Sequence, residues 1–144
     1  MTIETREFGL IDLDEARIVE FVQPMFGFED RRRFALLTDP ALGPHIGCLQ
    51  SLETPELCFV LMDPSALRVP YAPSIPDEAA RALGEGEYDC WVVTVLGADI
   101  QHSTVNLKSP VLVNWATGRG MQLILDQDYP VRCPLTGETE AGPC

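Results

Sequence analysis

The stretch Ser103-Thr104-Val105-Asn106-Leu107-Lys108-Ser109-Pro110-Val111-Leu112-Val113-Asn114 is followed by Leu123-Ile124-Leu125-Asp126 and Tyr129-Pro130-Val131-Arg132. It reads as two short β-strands broken at Pro110, which lacks the N–H that a ladder needs. Asn106 and Asn114 are eight residues apart and share a face if the break keeps the register. Two amides on an otherwise apolar strand pair admit two readings. Either each ties a neighbouring loop through side-chain to backbone hydrogen bonds, or both form polar anchors in a protein-binding patch.

Working outward, the chain is a succession of short apolar runs punctuated by Gly, Pro and Asp. The runs are Thr2 to Phe8, Leu10 to Leu13, Arg17 to Phe21, Phe34 to Thr38, Ile46 to Leu52, Cys58 to Met62 and Tyr88 to Leu96. With the strands around Val105, Val111 and Met121 they predict about nine or ten strands at close spacing, hence a mostly β, antiparallel, barrel-like single domain with one short helix. The helix is expected over Asp77 to Leu83, opened by Pro76 and ended by Gly84. Tyr88 to Leu96 has no polar face, so it is expected at the centre, buried on both sides. The segment from Pro64 to Pro76 is expected to cross irregularly, and Gly118 and Gly120 to supply positive φ in a hairpin turn. The domain is expected over residues 1–133, with residues 134–144 a disordered tail.

The 144 residues suffice for one core, and 22 Asp and Glu against 10 Lys and Arg leave a net charge of −12. That charge disfavours nucleic acid and anionic membranes and favours basic partners. No apolar run approaches the roughly 20 residues of a transmembrane helix, and Glu4, Arg6 and Glu7 stand where a signal peptide needs apolar residues, so a cytoplasmic location is expected. Five cysteines, with Cys48, Cys58 and Cys90 inside apolar runs, predict buried thiols and no disulfide. His45 and Cys48 with Cys133 or Cys144 lack the Cys-x-x-Cys spacing of a metal site, so neither metal nor cofactor is expected. His45 and His102 belong to no catalytic motif, and the carboxylate pairs Glu29 with Asp30 and Asp126 with Asp128 lack supporting groups. The chain is therefore read as a non-enzyme.

The order of several motifs carries a resemblance. Gly27-Phe28-Glu29-Asp30 before Phe34-Ala35-Leu36-Leu37, then Leu49-Gln50-Ser51-Leu52-Glu53, Pro55-Glu56-Leu57-Cys58-Phe59-Val60, Ile75-Pro76-Asp77 and the 103–132 stretch resemble the flagellar assembly factor FliW family over about residues 2 to 132. The resemblance implies a protein-binding regulator whose partners are flagellin and the RNA-binding translational repressor CsrA, monomeric when free. Flagellin, presenting amphipathic helices before assembly, would require an apolar groove with a polar rim. A flagellin-binding chaperone without the CsrA branch, and a small-ligand or metal-dependent enzyme with a hollow barrel, are the alternatives. The candidate protein-binding residues are Phe28, Glu29, Asp30, Asn106, Lys108, Asn114 and Trp115. Phe26 and Phe28 straddle Gly27, so one is expected inward and the other exposed.

Overall fold

A computed structural model describes residues 1–38, 40–41, 43–67, 70–99 and 102–135, together with the backbone of 138–139 and 142–143. The chain begins with a hairpin, β1 (Thr2–Thr5) and β2 (Gly9–Asp12), and continues into β3 (Ile18–Gln23), β4 (Arg33–Leu37), β5 (Ile46–Ser51) and β6 (Cys58–Met62). Helix α1 (Asp77–Leu83) precedes β7 (Asp89–Val95), β8 (Thr104–Val105), β9 (Val111–Asn114) and β10 (Arg119–Gln122). The C-terminal pieces are β11 (Cys133–Pro134), β12 (Glu138–Thr139) and β13 (Gly142–Pro143). β12 pairs with β13 inside the segment expected to be disordered.

Strands β3, β4, β5, β6 and β7 follow one another antiparallel, β7 also pairs with β9, β9 with β10, and β10 returns to β3. This ring closes a seven-stranded barrel. The closing pair, β10 with β3, is parallel and shifts register between Gly120 and Met121. The antiparallel expectation thus holds around the ring except at its seam. No local pattern specifies that seam, because its strands lie far apart in sequence.

Alternation along the strands sends one set of side chains into the barrel. Val19, Phe21, Met25, Phe34, Leu36, Leu49, Leu61, Val111 and Val113 form that core, none more than 2% exposed. The Phe21 and Phe34 rings lie 5.1 Å apart and tilted. Gly120 keeps the parallel seam close: a Cβ there would stand 2.6 Å from Val19 Cγ1. Its role is close approach, not the expected positive φ; that falls to Gly118, at +70°. The lumen is packed with apolar side chains, unlike the hollow lumen that a barrel enzyme would present.

The outward faces carry apolar covers of their own. The β1–β2 hairpin packs Ile3 and Leu13 over Ala35, Leu37 and Cys48, and α1 packs Ala79 and Leu83 over Leu112, Met121 and Leu123. Val92 lies beneath Val105, Leu107 and Cys133. These covers account for the apolar character of both faces of β7, whose Trp91 and Val93 join the lumen core while Cys90 and Val92 meet the outer layers. Burial does not extend along the whole expected strand, since Val95 and Leu96 are 64% and 61% exposed.

The cysteines differ from expectation at one position. Cys48, Cys58 and Cys90 are free, but Cys133 is disulfide-bonded, with its partner outside the described residues. Spacing gave no hint of this, because Cys133 stands at the start of the C-terminal segment, away from the apolar runs that hold the free thiols. The Cys48 thiol and burial push the Cys58 thiol up, and burial pushes Cys90 up to about 12. Thiols held protonated are poor metal ligands. Among the described residues no cluster of three His, Cys, Asp or Glu side chains exists.

Candidate protein-binding surface

The residues singled out in the sequence do not share one surface. Asn114 is fully buried. Its Oδ1 accepts from the Ala116 and Thr117 N–H groups at 2.9 and 3.3 Å, and its Nδ2 donates to the Gly84 and Glu85 carbonyls at 3.3 and 3.2 Å. Thr117 Oγ1 adds a bond to the Leu83 carbonyl at 2.7 Å. Together they latch the C-terminus of α1, whose last carbonyls have no helical partner, to the β9–β10 turn. Gly84 turns away with φ +95°, and a Cβ there would meet Thr117 Cγ2 at 2.6 Å.

Asn106 lies just beyond β8, before the bend at 107–109, so the two amides are not on one continuous strand face. Its Oδ1 accepts from Lys108 N and Ser109 N at 3.0 and 3.1 Å, an Asx turn that carries the chain around to Pro110. Lys108 Nζ donates to the Gln127 carbonyl at 2.7 Å. Trp115 Nε1 donates to Asp89 Oδ2 at 2.9 Å, and the Arg17 guanidinium stacks 4.5 Å from its ring. Both amide atoms of Asn114, the Asn106 Oδ1, the Lys108 Nζ and the Trp115 Nε1 are thus bonded within the chain.

The Gly27-Phe28-Glu29-Asp30 loop is split. Phe28 turns inward, edge-on to Phe59 at 5.2 Å, while Phe26 stays 50% exposed. Asp30 pairs with Arg31, and Arg31 Nε donates to Thr54 Oγ1 at 2.6 Å. Glu53 closes the loop from below, its Oε1 accepting from Arg32 N and Arg33 N at 2.8 and 2.9 Å. The Arg33 N–H holds the Glu53 carboxyl below its usual range; burial opposes it, and the Arg32 N–H and the charges of Arg31 and Arg33 add to the lowering.

Beside this loop lies a groove that the sequence did not mark. Buried Gln122 anchors it, accepting from Phe26 N at 2.9 Å and donating to the Ser109 carbonyl at 3.3 Å. Gln23, Pro24, Phe26, Glu29, Gln122 and Ile124 line a depression of about 370 Å³. A second, of about 280 Å³, continues past Ile124 to Ile75, Pro76 and Asp126. Phe26 and Ile124 are 50% and 61% exposed along it. Among the described residues neither Glu29 nor Asp126 makes an ion pair. The result is an apolar groove with an acidic rim, suited to an apolar segment carrying positive charge. The sole legible signal was Gln122, a polar side chain between Met121 and Leu123.

A second apolar hollow lies on the opposite flank, where Ile46 and Leu96 join depressions lined by Phe8, Cys48 and Val60 and by Met62, Leu67 and Leu135.

The barrel and its covers are those of a known protein class. The profile described as FliW protein matches residues 2–135. Flagellar assembly factor FliW of Lachnospira eligens is 33% identical, covering 94% of each chain. The proteins of that description from Natranaerobius thermophilus and Syntrophotalea carbinolica are each 38% identical, over 94% and 93% of this chain and 92% and 96% of theirs. A crystal structure of the flagellar assembly factor FliW superposes with a TM-score of 0.86 at 29% identity, covering 96% of this chain and 99% of that one. The chain belongs to the FliW family of flagellar assembly factors.

Proposed function

We propose that this chain acts by binding proteins in the cytoplasm, taking flagellin and the translational repressor CsrA as partners and antagonising CsrA without chemistry of its own. Unexported flagellin occupies it; when flagellin leaves, the freed chain captures CsrA and flagellin translation resumes. The observation that carries this reading is the acidic groove with Phe26 and Ile124 exposed, on a chain belonging to a family of assembly factors. CsrA needs a basic surface for RNA, and a bound protein of net charge −12 would repel RNA from it. The packed lumen supports a binding role over a catalytic one, and no helix among the described residues is long and apolar enough to cross a membrane.

Isothermal titration of purified CsrA and purified flagellin, each at low and high salt, tests the proposal. Both are expected to bind, CsrA more weakly as salt screens the rim. Absence of CsrA binding at low salt, with flagellin retained, would reduce the function to a flagellin chaperone. Absence of both would overturn it.

A further inference from the structure

The groove contains an unfinished strand edge. Beyond β10 the chain stays extended: Leu123 N and Leu125 N donate to the Pro110 and Lys108 carbonyls at 3.0 and 2.9 Å. Alternation then directs the N–H and C=O of Ile124 to the other side, where β3 would lie if it continued. It does not continue, because the last residue of β3 paired to β10 is Gln23, opposite Met121, and Pro24 has no N–H with which to extend the ladder. Among the described residues the Ile124 N–H and C=O make no hydrogen bond. Leu123 and Leu125 are buried at 7% and 3%, whereas the Ile124 side chain is exposed at 61%. An open backbone edge, an exposed apolar side chain and two flanking depressions thus coincide at one residue.

We infer that this edge accepts an extended peptide segment as an added strand in the place β3 vacates, its alternate apolar side chains settling on either side of Ile124. Backbone pairing supplies affinity in such additions, and alternate side-chain pockets supply specificity. Both depressions are lined by Ile124, so side chains two apart on an added strand, about 7 Å from each other, reach one on either side of it. Glu29 lines one depression and Asp126 the other, so the segment carries Lys or Arg at both ends of its apolar pair. A second copy of this chain is a poor occupant, since it would bring the same acidic rim and a net charge of −12 against its like. The inference rests on the reading of the chain as a protein-binding module but on neither named partner.

The test uses the full chain, isotopically labelled for NMR, and the synthetic peptide Arg-Ser-Val-Ser-Val-Ser-Arg. The Ile124 amide resonance is expected to shift on titration and to gain protection from hydrogen exchange. A peptide N-methylated at its three central residues, which removes the N–H to the Ile124 carbonyl in either strand direction, and one with Glu in place of each Arg, should each bind at least about tenfold more weakly. Ile124→Pro, which deletes the N–H, should weaken the parent peptide by a similar factor with an unchanged far-ultraviolet spectrum. The inference is overturned if the N-methylated peptide binds as well as the parent, or if millimolar peptide leaves Ile124 unshifted. It is also overturned if that resonance moves with protein concentration alone, which would make the occupant a second copy. Failure of the peptide with flagellin and CsrA binding intact would retire only the edge; loss of both partners with peptide binding intact would retire the function proposed above.

Discussion

Asn114 and Ile124 lie ten residues apart, one ending β9 and the other just beyond β10, and they invert the usual expectation about which residue in a β-protein does the binding. Asn114, the polar one, is wholly interior, and both its amide atoms serve the chain's own backbone. Ile124, the apolar one, is exposed, and its backbone serves nothing among the described residues. A polar side chain inside a barrel wall is kept because removing it strands buried carbonyls and N–H groups. An apolar side chain left outside next to an open edge costs little to the fold, so its cause is sought in a partner.

The comparison breaks first on stability. Phe21→Ala, at the centre of the lumen core, should cost about 3–5 kcal/mol by cavity formation and sets the scale. Asn114→Ala should cost about 2–3 kcal/mol, because two carbonyls and two N–H groups lose their partner at once; urea denaturation measures both. If Asn114→Ala instead melts like the parent protein, the latch is not structural and the comparison fails. Ile124→Asp should change stability by less than about 0.5 kcal/mol while weakening flagellin or CsrA binding. Equal binding by that variant would remove Ile124 from the interface.

The smallest effect expected is on pH dependence. With its folded pKa below the ordinary 4.5, Glu53 contributes stability that is present above that value and is lost as pH falls through the lowered one. Glu53 is exposed, so the contribution is slight. Glu53→Gln should lower stability slightly at neutral pH and flatten the acid limb below pH 4.5, so that variant and parent converge at low pH. A steeper acid limb in the variant would contradict the assignment.

Local features of the fold were legible wherever local chemistry decides them. Asp77–Leu83 and Cys58–Met62 have the boundaries read from Pro76, Gly84 and the apolar run. Phe26 and Phe28 divided between exposed and inward as their positions around Gly27 suggest. The parallel seam was not legible, because pairing Gly120 with Phe21 joins residues 99 positions apart and no local pattern encodes the match. The groove stayed hidden for a related reason. It arises where β3 stops and the chain beyond β10 stays extended, a difference between two segments that neither sequence displays alone. Asn106 and Lys108 drew notice as polar residues among apolar ones, yet both shape the turn before Pro110.

The most direct measurement is the dissociation constant of flagellin, and separately of CsrA, for Asn114→Ala and Ile124→Asp at a temperature where both variants are folded, with each melting temperature recorded alongside. The account predicts that Asn114→Ala lowers the melting temperature and leaves both constants unchanged, while Ile124→Asp leaves the melting temperature unchanged and raises at least one constant about tenfold. Weakened binding by a fully folded Asn114→Ala protein, together with undiminished binding by Ile124→Asp, would contradict it.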